Sequence, residues 1–149
     1  PQEMLVTSKS FDVYSMNSYR YSLDPEVIAQ IYEVTELPII IGEFHFGVPE
    51  NGLAAGLVQV NSQEERGVAY RYYVEQAAAL PALIGTSWFQ WVDQSVTGRM
   101  DGENYNIGLV DVTDRPYGEM VAALKATHKR LFAVHSGTEP PFSQKPKAQ

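Results

Sequence analysis

The sequence predicts an α/β fold with a parallel sheet, and three observations carry that prediction. Runs with strand character alternate with segments whose apolar residues recur at helical spacing, in the order strand, helix, strand, helix, strand, helix, which is the alternation of βαβ units. All three strand-like runs finish in polar or aromatic residues: Asn17 and Tyr19, Glu43 and His45, Trp88 and Gln90. No Gly-x-Gly-x-x-Gly follows any strand and no Gly-Lys-Ser/Thr occurs, so the nucleotide-binding versions of this architecture have no support.

Phe11 to Tyr21 reads as the first strand, with Val13, Ser15, Asn17 and Tyr19 on one face and Tyr14 and Met16 on the other. Asp24 is placed to cap a helix whose first position is Pro25 and whose Val27, Ile28, Ile31 and Tyr32 repeat at helical spacing to about Glu36. Pro38 to about His45 is the second strand, and its three consecutive isoleucines belong in a strand buried on both faces. After a loop bearing Gly47, Gly52 and Gly56, Ser62 and Glu65 form a capping box, and Tyr70, Tyr73, Val74 and Ala77 make the apolar stripe of a helix ending near Pro81. Leu83 to Trp91 is the third strand. A long polar loop leads to Pro116, which opens a last helix with Met120, Val121, Leu124, His128 and Leu131 on one side. Residues 1–135 read as the folded body and residues 136–149 as a flexible tail.

At 149 residues and 44% hydrophobic, the chain is long enough for a sizeable core. Its net charge of -7 and lack of a Lys/Arg cluster argue against a nucleic-acid partner, which needs a basic patch. No apolar run approaches the roughly 20 residues that span a bilayer, so no membrane partner is expected. The absence of cysteine excludes disulfides and thiolate chemistry but leaves the compartment open.

In parallel α/β folds the ligand sits beyond the carboxyl ends of the strands, where the polar endings fall. A flavodoxin-like sheet and a piece of a (β/α)8 barrel are both compatible with this pattern. Glu43 at the rim has a plain reading as a carboxylate paired with an Arg or capping a helix. The buried run before it, the small Gly42 beside it and a hydroxyl donor in Tyr19 favour a reactive role, as a nucleophile toward an anomeric carbon. Glu43 and His45 also have the spacing of two metal ligands, but the other histidines, His128 and His135, lie on or after the last helix, so neither a metal nor a cofactor is expected. Trp88 and Gln90 share one face and Phe89 and Trp91 the other; Trp91 is assigned to the core, and Trp88 to a sugar-stacking platform beside Glu43 with Asn17 and Gln90 as hydrogen-bonding neighbours. Arg99, Asp101, Glu103, Asn104 and Tyr105 form a candidate cleft wall.

Taken together, "FDVYSMNSY", "LPIIIGEFHFG", "GTSWFQWVDQ" and "YNIGLVDVTDRPYGEM" resemble strands six, seven and eight and the return into the last helix of the clan A retaining glycoside hydrolases. The resemblance covers about Phe11 to Phe132, and within the clan it is greatest to β-agarases and β-galactosidase-like enzymes. It implies a partial (β/α)8 barrel of about three βα units, Glu43 as nucleophile, Tyr19 as its hydrogen-bonding neighbour, Trp88 and His45 lining the donor subsite, and a cis peptide between Trp88 and Phe89. It also implies a galactan-type substrate and an extracellular or periplasmic setting. One departure is large: the clan's acid/base is a Glu preceded by Asn after strand four, and this sequence has no Asn-Glu and too few residues for a barrel of about 250. The expectation is therefore a nucleophile-bearing fragment, inactive alone, which self-associates or pairs with a missing N-terminal half to cover an inward face of Val13, Ser15, Ile39 and Ile41. A non-catalytic carbohydrate-binding half-barrel and a metal-dependent hydrolase using Glu43 and His45 are the alternatives.

Overall fold

Local chemistry sets the element boundaries in this computed structural model, which describes residues 2–147. A short helix α1 (Gln2–Thr7), which carries no sequence signature, precedes strand β1 (Tyr14–Asn17). The Asp24 carboxylate accepts the N–H groups of Glu26 and Val27 at 2.9 and 3.4 Å, so α2 (Pro25–Thr35) starts at its proline as expected. Strand β2 (Ile39–Phe44) follows. Ser62 Oγ accepts the Glu65 N–H at 3.1 Å and caps α3 (Gln63–Ala78), after which β3 (Leu83–Trp88) completes a parallel sheet of order β1-β2-β3.

The last helix differs from expectation. α4 (Gly118–His128) opens at Gly118 with Tyr117 as its cap, not at Pro116, and the chain breaks at Lys129 and Arg130 before α5 (Leu131–His135). Its buried stripe is Met120, Ala123 and Thr127, with His128 on the exposed side.

The sheet does not alternate evenly. Ile39, Ile41 and Phe44 all lie in one core with Ile28 and Ile31 of α2 and Tyr70, Tyr73 and Val74 of α3. Ile41 and Phe44 are three residues apart, so strict alternation would put them on opposite faces. Met16 pairs with Ile41 and the next residue, Asn17, pairs with Glu43, which leaves Gly42 as an extra residue in β2. A second break lies between the pairs Ile39–Leu83 and Ile40–Gly85, where Ile84 is extra in β3. The inward face expected from parity is thereby corrected: Ile39 and Ile41 are fully buried toward the helices, and the opposite face carries Ser15, Asn17, Ile40 and Gly85.

Beyond Ser136 the described chain forms no helix or strand, yet Phe142 and Lys147 reach α3. Glu75, fully buried, organises this contact. Its carboxylate takes Arg130 Nη1 at 2.6 Å, Arg71 Nη2 at 3.2 Å, Thr127 Oγ1 at 3.2 Å and the Phe142 N–H at 2.9 Å. The Phe142 ring covers the Arg71 guanidinium at 4.1 Å, and the Lys147 N–H reaches Glu65 at 3.0 Å. Ala148 and Gln149, assigned to the same tail, lie outside the described residues.

Past β2 the chain folds back on its own strand end. Gly47 donates to the Val58 carbonyl at 3.0 Å and accepts from the Val60 N–H at 2.9 Å. A Cβ on Gly47 would lie 1.9 Å from the Ala55 carbonyl oxygen and 2.7 Å from that of Asn106, both backbone atoms with little freedom to yield. Gly47→Ala is expected to destabilise the protein by about 3 kcal/mol, the upper end for overpacking, read as a lower midpoint in urea unfolding.

Candidate active site

The two residues that the sequence places at adjacent strand ends meet. Tyr19, just past β1, donates its hydroxyl hydrogen to Glu43 Oε2 at 2.6 Å, while the Ser18 N–H donates to the Glu43 carbonyl at 2.9 Å and ties the two strand ends together. Among the described residues Glu43 Oε1 has no hydrogen bond from the protein. Burial, the bond to Glu43 and the nearby charges of Glu43 and Glu103 push the Tyr19 phenol far above its ordinary range, with Arg99 opposing. The hydroxyl therefore stays protonated and remains a donor. Asn17 lies exposed on the same face, its Oδ1 only 3.0 Å from where a Cβ on Gly42 would be.

His45 lies beneath this pair. At 1% exposure it presents no surface to a ligand, which corrects its expected place in the donor subsite. Its ring centre is 4.7 Å from that of Tyr19, 6.1 Å from Tyr105 and 6.2 Å from Phe89. Nε2 accepts the Leu57 N–H at 2.9 Å, while Nδ1 has no hydrogen-bond partner among the described residues. Burial lowers its pKa to about 4, and the positive Arg66 pushes the same way. The backbone carbonyl of Phe89, an acceptor facing the ring, opposes this shift.

Neither tryptophan lies where the sequence reading puts it. Trp88 faces the helices, not Glu43: its ring lies 5.2 Å from Phe44 edge-on and 5.8 Å from Tyr70, and its indole N–H donates to the Ile107 carbonyl at 2.9 Å. Trp91, assigned to the core, is 68% exposed. The physical reason is the uneven register, since Trp88 pairs with Phe44 and so shares its face. Phe89, one residue on, takes the side toward His45. The cis peptide likewise falls one residue later than expected, between Phe89 and Gln90. Gln90 turns back on its own loop, donating to the Val92 carbonyl at 2.9 Å.

Of the candidate wall, Glu103 comes near enough to influence Tyr19 and is held by Gln94 Nε2 at 2.8 Å and Arg99 Nη1 at 3.3 Å. Asp101 is exposed and paired with Arg99 at 2.8 Å. Asn104 contributes its carbonyl, which accepts the Ala54 N–H at 3.0 Å.

Behind the site lies a polar network with no sequence signature. Asp93 accepts from the Gly108 N–H at 2.7 Å, from the Tyr117 hydroxyl at 2.5 Å and from Asn106 Nδ2 at 3.0 Å. Arg66, fully buried, donates to the carbonyls of Phe46 at 2.9 Å and Gly108 at 2.7 Å and to Gln63 Oε1 at 2.6 Å. Burial draws its pKa down to about 10, while Asp93, Tyr117 and Glu50 hold it up, so it remains a cation at neutral pH. Together Arg66 and Asp93 clamp the loop after β3 onto the end of β2. A lone Asp and an Arg within a helix have no periodicity to betray them; only their burial reveals the role.

No family model matches the chain. It is 40% identical to β-agarase B of Vibrio sp. (strain JT0107) over 125 residues, 83% of this chain, and 39% identical to β-agarase A of the same organism over 141 residues, 90% of this chain. It spans only 13% and 14% of those two proteins' lengths. In three dimensions it matches a solved exo-β-agarase structure with a TM-score of 0.86 at 41% identity, over 92% of this chain and 19% of the other.

The buried histidine has a measurable consequence. Because its folded pKa lies below the ordinary 6.5, the unfolded chain takes up a proton first, and the stability that neutral His45 contributes above pH 6.5 is lost as pH falls toward 4. That contribution is about 3 kcal/mol at most. His45→Gln is expected to flatten the fall in unfolding free energy between pH 7 and pH 4 relative to the unmodified chain, as read by urea titration at each pH.

Proposed function

Because the chain is homologous to the β-agarases over most of its length, we propose that it carries the nucleophile of a retaining β-glycoside hydrolase acting on an agarose-type galactan. Glu43 is the attacking carboxylate and Tyr19 its hydrogen-bonding partner. The observation that supports this reading best is the 2.6 Å Tyr19–Glu43 bond at the carboxyl ends of two adjacent parallel strands, on the face away from the helices. Tyr19 occupies one carboxylate oxygen and orients the group, which leaves Oε1 as the oxygen to attack an anomeric carbon.

Attack by Oε1 forms a glycosyl ester and expels the leaving-group oxygen, which needs a proton from a second carboxyl group about 5–5.5 Å away. Glu103, the other carboxylate that influences Tyr19, is committed to Arg99 and Gln94. The acid/base is therefore assigned to polypeptide outside these 149 residues, and the chain is read as about three βα units of a (β/α)8 barrel. In this reading the edges of β1 and β3 are covered by the remaining strands or by self-association, and the substrate places the enzyme in an extracellular or periplasmic setting.

Alone, the chain is expected to turn over neither agarose nor aryl β-galactosides, since loss of a general acid by itself removes about 10²–10⁴ in rate. Grafted in place of the matching segment of a β-agarase, it is expected to support hydrolysis. In that graft Glu43→Gln should lower kcat by roughly 10⁴-fold or more. Undiminished hydrolysis by the Glu43→Gln graft contradicts the nucleophile assignment.

A further inference from the structure

We propose that His45 is a positioning residue: its ring props Tyr19 in the orientation that reaches Glu43, and its Nε2 holds the Gly56–Leu57 loop, with the ring proton on Nδ1. The inference deepens the reading of Glu43 and Tyr19 as the reacting pair and rests on it for its catalytic consequence, although the geometry stands apart from any activity.

Tyr19 lies two residues past β1, the edge strand of the sheet, where its partly buried ring packs against the margin of the core. The ring it leans on is His45, 4.7 Å away and tilted by 56°. His45 is in turn immobilised on several sides. Leu57 donates its N–H to Nε2 at 2.9 Å, which makes Nε2 the acceptor and leaves Nδ1 to carry the hydrogen of the neutral ring. Gly56, at φ +79°, brings its backbone so close that a Cβ there would lie 2.7 Å from Nε2. Phe89 and Tyr105 close the remaining sides.

The chemistry explains why an imidazole occupies this position. A phenylalanine would prop Tyr19 equally well but would leave the Leu57 N–H without an acceptor. A cationic side chain would face Arg66, whose charge already disfavours protonation of His45. The titratable and charged groups around the ring are Tyr19, Tyr105 and Arg66, with Glu43 bonded to Tyr19. Among the described residues the buried Nδ1 completes no hydrogen bond, a cost that a merely space-filling residue would avoid. The acceptor at Nε2 and the flat ring against Tyr19 are what the fold obtains with it.

The test is solution NMR on the whole chain and two variants, with amide protection in α3 confirming that each is folded. In the unmodified chain, long-range ¹H–¹⁵N spectra should show His45 protonated on Nδ1 and neutral from pH 8 to pH 5.5, and Tyr19 should occupy one χ1 rotamer by its Hα–Hβ couplings. His45→Phe should keep the Tyr19 rotamer while the Leu57 amide exchanges about tenfold faster, as expected for loss of one hydrogen bond. His45→Ala should lose both, averaging the Tyr19 couplings. A proton on Nε2, a midpoint near 6.5, an unmoved Tyr19 in His45→Ala or an unmoved Leu57 amide in His45→Phe overturns the proposal. The spectra of the unmodified chain decide the tautomer even where a variant fails to fold. Because no step involves turnover, a failure here is distinct from a failure of the nucleophile assignment.

Discussion

A Cβ on residue 42 would sit 2.7 Å from Ser15 Oγ and 3.0 Å from Asn17 Oδ1, so glycine suits this point of close approach between β1 and β2. The missing carbon makes room for an extra residue in β2, and the extra residue decides which way Glu43 points. Ile39 and Ile41 face the helices, where each buried side chain contributes about 1.5–3 kcal/mol. Had alternation continued from them, Glu43 would enter the same core, where an unpaired carboxylate is far more costly than any gain from an isoleucine. The bulge reconciles the two demands: the isoleucines stay in the core, Phe44 rejoins them, and the carboxylate turns to the open face beside Tyr19 and Asn17.

Three buried charged side chains hold the surroundings in place. Arg66 and Asp93 link α3, the end of β2 and the loop after β3 through bonds to backbone as well as to side chains. Glu75 does the same for α3, the junction of α4 and α5, and the segment around Phe142. All three are satisfied on several sides, the condition under which a buried charge is tolerable. Such groups specify one arrangement of loops more than they add stability. The consequence for the site is a floor of His45, Phe89 and Tyr105 that is packed from behind.

Much of this was legible in the sequence. Asp24 before Pro25 and Ser62 before Glu65 announced two helix starts correctly because capping is local chemistry. The pairing of Tyr19 with Glu43 was legible because both stand at the ends of strand-like runs. What parity counting could not deliver was the face of each residue beyond a bulge: Gly42 and Ile84 each shift the count by one. Counted without those breaks, parity puts Trp88 beside Glu43 and Phe89 on the opposite face, whereas Trp88 packs on Phe44 and Phe89 lies against His45. The tail's contacts with Glu75 and the Asp93 network depend on partners 13 to 67 residues away in sequence and have no local pattern to read.

The central claim, that the register break in β2 turns Glu43 away from the isoleucine core, is open to a direct measurement because the chain contains no cysteine. Single substitutions Ile40→Cys, Ile41→Cys, Glu43→Cys and Phe44→Cys each introduce one thiol along the strand, and its rate of modification by a water-soluble disulfide reports the face it occupies. The account predicts fast modification for Ile40→Cys and Glu43→Cys and strong protection for Ile41→Cys and Phe44→Cys. An alternating result, with Ile41→Cys and Glu43→Cys alike and opposite to Ile40→Cys and Phe44→Cys, would show an unbroken strand and contradict it.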